Sequence, residues 1–374
     1  MQIISKVGRI MKRIFCLALT LVLCFGLFCA CGETPDQPGG NVNKDYTLDE
    51  NGNYVYELFH DPNFETGFMV GSANRAEVSG NFVSYPVDYN MYMPGATEAA
   101  WSCSQWGCKY GFGDSYGNAL ITEHDPYEVK NENGVISFEA YSLKDGVYSN
   151  EAPLSKAIRV KPAENKIWLD LNASVEYTEN GVIVPRQNPN DYWPHILLSA
   201  GFKYQPYVSQ VKNLVLSADV TIEKCDNLHP DGTYNTGMHA AQFLMYLVVR
   251  STNDNEYMWF GIPFFDNRYP MFGEHDQIDS VENKFLYQVP GYAFNGGAAV
   301  TVGRTMNISL DVIPYFARAL EIAQSKYQRF LGSTVDNLYV ASMNVGWELP
   351  GVFDVSASIA NYSFKAVCEK EMSL

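Results

Sequence analysis

Glu348 closes the run Leu338-Tyr339-Val340-Ala341-Ser342-Met343-Asn344-Val345-Gly346-Trp347-Glu348, whose alternation fits a half-buried strand. Period two puts Val340, Ser342, Asn344, Gly346 and Glu348 on one side and Tyr339, Ala341, Met343, Val345 and Trp347 on the other. A carboxylate at the end of a polar sheet face, beside a glycine that leaves room for a ligand, is suited to general acid work. The plain alternative is a solvated Glu at a strand end. In the run from Ala241 to Arg250, Gln242, Leu244, Tyr246, Val248 and Arg250 share a face, while Phe243, Met245, Leu247 and Val249 share the buried one. Gln242 and Tyr246 should then line whatever Glu348 faces.

Two further acidic residues lie near these strands as candidate partners for Glu348. Asp266, in Phe264-Phe265-Asp266-Asn267-Arg268, is the first candidate and Glu256 the next. Arg268 could equally do no more than neutralise Asp266 within a turn, and Glu256 follows the turn-like Asn253-Asp254-Asn255. His239 reads more readily as a capped loop residue than as a ligand contact. Flat aromatic faces suit the C–H faces of sugar rings, which makes Trp101, Trp106, Trp193 and Trp259 candidate platforms beside the polar contacts Asn344 and Arg268. Most Trp residues in a β-sandwich are core. Trp106 and Trp193 sit in loop-like contexts, which leaves core and platform equally open for them.

Strands must position these groups. Short runs rich in Val, Ile, Tyr and Phe alternate with Asn51-Gly52, Asn133-Gly134, Asp145-Gly146, Asn180-Gly181 and Asp231-Gly232, the turn signals of hairpins. The clearest strands are 134–141, 166–177, 213–223, 241–250, 256–265, 305–311, 338–347 and 353–366. One helix interrupts them, from Pro314 to Phe330: Phe316, Ala319, Leu320, Ala323, Tyr327 and Phe330 fall at helical spacing, Asp311 is placed to cap it and Pro314 suits its first turn. Many strands with one late helix predict an all-β jelly-roll sandwich, concanavalin-like, with the helix on the convex face.

The order of these pieces resembles glycoside hydrolase family 12, jelly-roll endo-β-glucanases and xyloglucanases. The resemblance rests on the strand Asn213 to Glu223, Ala241-Gln242-Phe243-Leu244-Met245-Tyr246-Leu247, the helix, Gly346-Trp347-Glu348-Leu349-Pro350-Gly351 and the closing Tyr362-Ser363-Phe364. It spans about 211–367 through short motifs. It implies a neutral β-linked polysaccharide or oligosaccharide as partner and Glu348 as acid/base. The family's nucleophile position falls on Gln242, and an amide cannot form a glycosyl ester. Three readings follow: Asp266 replaces it, Glu348 works with a water placed by Gln242, or the chain only binds glycan.

Composition narrows the partners. Lys and Arg total 26 against 42 Asp and Glu, which argues against nucleic acid or an anionic polymer as partner, since binding either relies on a basic surface. Aromatic residues make up 14%, with 25 Tyr, a surplus that either core or stacking surface would use. No Gly-x-Ser-x-Gly elbow, phosphate loop or dinucleotide fingerprint occurs, and no His pair has metal-site spacing. No cofactor or metal is expected.

Lys6, Arg9, Lys12 and Arg13 precede the uncharged apolar run Ile14 to Ala30, short for a membrane span and laid out as an export signal. Its end, Leu27-Phe28-Cys29-Ala30-Cys31-Gly32, resembles the bacterial lipobox, which implies that Cys31 carries a lipid. Met11 before Lys12-Arg13 is also a normal start. The expected organisation is a signal over 1–30, a Gly- and Pro-rich tether over 31–43 and one domain over 44–374, anchored through lipid on the outer face of a bacterial cytoplasmic membrane. Four of the 8 Cys fall at or before Cys31. Cys103, Cys108, Cys225 and Cys368 remain, and a Cys103–Cys108 disulfide and free thiols are equally open.

Overall fold

The Asn-Gly pairs make the turns their chemistry allows. Asn133 and Gly134 take φ of 55° and 77°, and Asn180 and Gly181 take 50° and 78°, the positive pair that a two-residue hairpin demands and that Asn-Gly meets at low cost. The computed structural model describes residues 45–70, 75–78, 81–83, 89–105, 107–112, 128–144, 147–189, 191, 193–279 and 282–372. The expected signal, the tether, Cys31 and Trp106 lie outside them.

Eighteen of the strands build two nine-stranded sheets. The front sheet runs in the order His275–Ile278, Phe285–Gln288, Tyr257–Asp266, Gln242–Ser251, Leu338–Glu348, His195–Gly201, Trp101–Ser104, Gly67–Val70 and Tyr89–Tyr92. At the centre of the back sheet, Phe353–Cys368 lies between Lys166–Asn172 and the long strand Asn213–Asn227, which in turn pairs with Thr305–Asp311. The architecture is an all-β jelly-roll sandwich.

The two inner faces meet in one aromatic core. Phe243, Met245, Leu247, Val345 and Trp347 from the front sheet are all fully buried. Trp347 donates its indole N–H to the Leu169 carbonyl of the back sheet at 3.0 Å, and the Tyr362 hydroxyl points across to Met245 Sδ at 3.3 Å. Indole and phenol therefore satisfy their polar atoms while adding ring area to the core.

The helix spans Ile313–Tyr327 and ends three residues earlier than the apolar spacing predicts, because Gln328 at its C-cap and then Phe330 take positive φ. Val312 rather than Asp311 occupies the N-cap position, and the Asp311 carboxylate accepts from the backbone N–H groups of Leu214 and Ile313. Phe316 meets Phe260 edge-on at 4.7 Å, and Tyr327 packs on Phe285 at 5.3 Å. Both partners point to the inner side of the front sheet, so the helix covers the side opposite Gln242 and Glu348.

Three expectations need correction. The strand foreseen over 166–177 ends at Asn172, where the chain turns through the short helix Ala173–Glu176. Alternation along Leu338–Glu348 is broken by a bulge that opposes Val248 to Ser342 and Val249 to Val340. The extra residue flips Val340 into the core, 3% exposed, and leaves only Ser342, Asn344, Gly346 and Glu348 on the open face. Gly346 does not make room for a ligand: a Cβ there would lie 2.0 Å from the Ile196 carbonyl oxygen, so the neighbouring strand's backbone occupies that space.

Candidate functional site

Strand register assembles the site from four distant parts of the chain. Gln242 stands opposite Asp266 on one side and Glu348 on the other, and Glu348 stands opposite His195. The row Asp266, Gln242, Glu348, His195 thus crosses four adjacent strands at one end of the open face. A second row lies four residues along three of the strands and five along the bulged Tyr257–Asp266, where Gly261, Tyr246, Asn344 and Ser199 are opposed.

Within the first row the two carboxylates differ in environment. Asp266 is 6% exposed, and its carboxylate takes Arg268 Nε at 2.9 Å, Arg268 Nη2 at 2.6 Å, the Arg268 backbone N–H at 2.9 Å and the Gln242 amide N–H at 2.9 Å. Arg268 is held protonated above its ordinary range by those bonds, although its own burial opposes this. The expected proximity of Asp266 and Arg268 is therefore a two-toothed ion pair, with Gln242 as third partner. Glu348 has no such clamp. Its Oε2 lies 3.9 Å from His195 Nε2, and His195 Nδ1 lies 2.8 Å from the Trp193 carbonyl. A carbonyl only accepts, so the proton sits on Nδ1 and Nε2 faces the carboxylate.

His195 is the contributor that sequence reasoning missed. It appears there only as the residue after Trp193-Pro194, and the run Ile196-Leu197-Leu198 hides the alternation of its strand. Leu197 is buried although it points to the open face, so hydrophobicity alone gives no strand period.

A buried cluster fixes the segment bearing Trp193 and His195. Lys156 and Glu176, 0% and 2% exposed, pair at 2.9 Å. Glu176 also accepts from Ser155 Oγ and from the backbone N–H groups of Lys109 and Tyr110, and Lys156 donates to the Tyr110 carbonyl. Burial opposes the charge on Lys156, but the Glu176 carboxylate keeps it protonated. The cluster holds the 107–112 segment, whose Cys108 thiol donates to the His195 carbonyl at 3.2 Å. Gly107 lies so close to Trp193 that a Cβ would fall 2.0 Å from its carbonyl oxygen. Cys103 and Cys108 are free buried thiols, pushed by desolvation up to about 12 and about 11.

The second row is neutral and partly unsatisfied. Tyr246 lies over Gly261, takes a 3.1 Å hydrogen bond from Gln288, and is pushed upward by burial and then by the charge of Glu348. Asn344 Oδ1 is buried with no hydrogen-bond partner. Trp259 meets the Tyr246 ring edge-on at 5.9 Å and donates to Glu282 at 3.2 Å. Trp193 stacks on His195 at 5.5 Å under the Arg186 guanidinium, with its indole nitrogen buried and unpaired. Trp101 is core, donating to the Asp61 carbonyl.

Two candidates fall elsewhere. Glu256 pairs with Arg329 at 3.0 Å at the far hairpin. His239 is buried, with Nε2 on the Arg186 carbonyl and Nδ1 accepting from Asn235, as a loop residue would be. Among the described residues no cluster of His, Cys, Asp and Glu could hold a metal ion.

No family model matches the chain, and neither does any curated protein. Among solved structures it is similar to a native family 12 xyloglucanase from Bacillus licheniformis, at 11% identity and TM-score 0.35 over 64% of this chain and 97% of that one. A family 11 xylanase from Neocallimastix patriciarum follows at 10% identity and TM-score 0.33, over 66% and 98%. An endoglucanase from Rhodothermus marinus gives 10%, 0.31, 65% and 97%. Likeness at this level assigns no chemistry to any residue.

Proposed function

We propose that the open face of the front sheet holds a glycan with a neutral β-linked backbone, outside the cell, and that Glu348 acts on it as general acid/base in glycoside hydrolysis. The observation that carries the reading is the row Asp266, Gln242, Glu348, His195 at the end of a face furnished with Tyr246, Asn344, Trp259 and Trp193. Two carboxylates flank a neutral amide, with aromatic and amide groups extending away from them. The Gly346-Trp347-Glu348-Leu349-Pro350-Gly351 motif adds support.

Asp266 and Glu348 stand two strand spacings apart, about 9 to 10 Å at the backbone. Carboxyl groups roughly 6.5 to 9.5 Å apart leave room for a water in inverting hydrolysis, whereas a retaining pair is only roughly 5 Å apart, and side chains from strands that are not direct neighbours suit the wider arrangement. Glu348 would protonate the leaving oxygen while a water held at Gln242 Oε1 attacks the anomeric carbon and passes its proton to Asp266. Both Asp266 oxygens are already engaged by Arg268, so the proton must compete with that ion pair and turnover should be slow.

That clamp also favours a second reading, in which the face binds glycan without cutting it. A panel of neutral polysaccharides, assayed for released reducing ends and by affinity electrophoresis with wild type and Glu348→Gln, separates the two. Hydrolysis reduced by at least ~100-fold in the variant is expected, the usual share of a general acid. Retention without cleavage selects the binding reading, and unchanged hydrolysis in Glu348→Gln removes Glu348 from the chemistry.

A further inference from the structure

Arg250 and Lys284 lie at the opposite end of the same face, in a protein with 42 acidic and 26 basic residues. Arg250 stands opposite Tyr257 and Tyr339 in the register, eight residues along its strand from Gln242, about 26 Å at ~3.3 Å per residue. Its guanidinium carbon sits 5.6 Å from the Tyr257 ring centre, and Lys284 Nζ sits 4.7 Å from the same centre. Among the described residues neither head group makes a hydrogen bond or ion pair, and Arg250 Nε is shut off from solvent without a partner.

Two cations crowding one ring repel each other, and a buried cationic N–H left unpaired costs stability. Glu282, which shares the Tyr257 ring's surroundings, does not resolve this. Glu282 is occupied by the Tyr257 hydroxyl and, at 3.2 Å, by the Trp259 indole, and its backbone N–H is fixed by Asp279 at 2.6 Å. A guanidinium can donate two parallel hydrogen bonds to the two oxygens of one carboxylate, and Lys284 adds a second positive charge beside the same ring.

We propose that Arg250 and Lys284 form a subsite for a carboxylate, supplied by a uronic acid substituent on the glycan several sugar units from Glu348. The identity of the carrier rests on the glycan reading; the carboxylate specificity does not. The protein would thus select a neutral backbone by its central face and an acidic decoration at this end.

Two arms test it, on the full mature chain. In the first, D-glucuronate and D-glucose are titrated against wild type, Arg250→Gln and Lys284→Gln while the Arg Nε–H resonances are followed by NMR. Glucuronate alone should move the Arg250 signal, and it should bind less tightly to Lys284→Gln. In the second, a xylo-oligosaccharide bearing one glucuronate branch is compared with its carboxyl-reduced form by calorimetry. Wild type should prefer the acid by at least ~10-fold, as for a charge-assisted hydrogen bond, and the ratio should collapse toward one in Arg250→Gln, with melting curves confirming that the variant is folded. Equal response to glucose and glucuronate, or a preference that survives Arg250→Gln, overturns the subsite. If glucuronate binds at Arg250 but neither oligosaccharide is retained, the subsite stands and the glycan reading falls.

Discussion

Gln242 is the residue on which the chemistry turns. Its backbone lies one strand from Glu348, and directly opposed side chains on adjacent strands hold their Cβ atoms about 4.5 to 5.5 Å apart, the spacing of a retaining pair. Gln242→Glu would put a carboxylate there, at the cost of the amide's hydrogen bond to Asp266 and of a new like-charge contact that Arg268 partly offsets. The expected outcome is hydrolysis raised by at least ~10-fold with the anomeric configuration of the first product retained, read by proton NMR. An inverted product, or no gain, would mean that the face does not place the scissile bond between positions 242 and 348. The shared face of Gln242 and Glu348 was legible in the sequence through period two, and so was the tension between Gln242 and a hydrolase. His195 and the clamp on Asp266 were not, because a cross-strand neighbour about 150 residues away and a side chain folded back across two residues leave no local pattern.

At the scale of elements, the loop 227–239 and the turn that follows Glu348 are locked by a neutral histidine. His229 Nε2 accepts from the Val352 backbone N–H at 3.1 Å, which puts the ring proton on Nδ1, 2.6 Å from Asn227 Oδ1. The ring stacks on His239 at 4.5 Å and touches Tyr234 and Phe353. Burial first, and His239 second, push it down to about 4 from an ordinary 6.5. Below about pH 6.5 the unfolded chain therefore takes up a proton that the folded loop refuses until about 4, so stability falls as pH falls through that window and is unaffected above it. In His229→Gln, which cannot titrate, the melting temperature should drop less than in wild type between about pH 7 and about pH 4, followed by circular dichroism. Equal acid sensitivity would show that His229 is not held neutral. Strand identity was legible to within a few residues for most of the chain after 211, since turn chemistry and alternation agree there. The bulge at Val340 and the early end of the helix were not, because each depends on backbone torsions that tertiary packing selects.

For the whole molecule, charge and the first residues point the same way. Losing the segment up to Ala30 removes four basic residues and no acidic one, leaving 22 basic residues against 42 acidic. A protein that acidic gains nothing from a negatively charged membrane surface by electrostatics and needs another means to stay there. We propose that Cys31 supplies it as the lipid-bearing N-terminus, with the Gly- and Pro-rich stretch behind it acting as a spacer. One acyl chain gives only marginal membrane binding, whereas two acyl chains together anchor stably. Cys31→Ala should accordingly move the protein from the membrane fraction to the medium or leave it as uncleaved precursor. Intact mass measurement of the wild-type membrane fraction should show a chain beginning at Cys31 with an added diacylglyceryl group. A chain starting elsewhere, or an unmodified Cys31 on a protein still bound to the membrane, would show that retention works by other means.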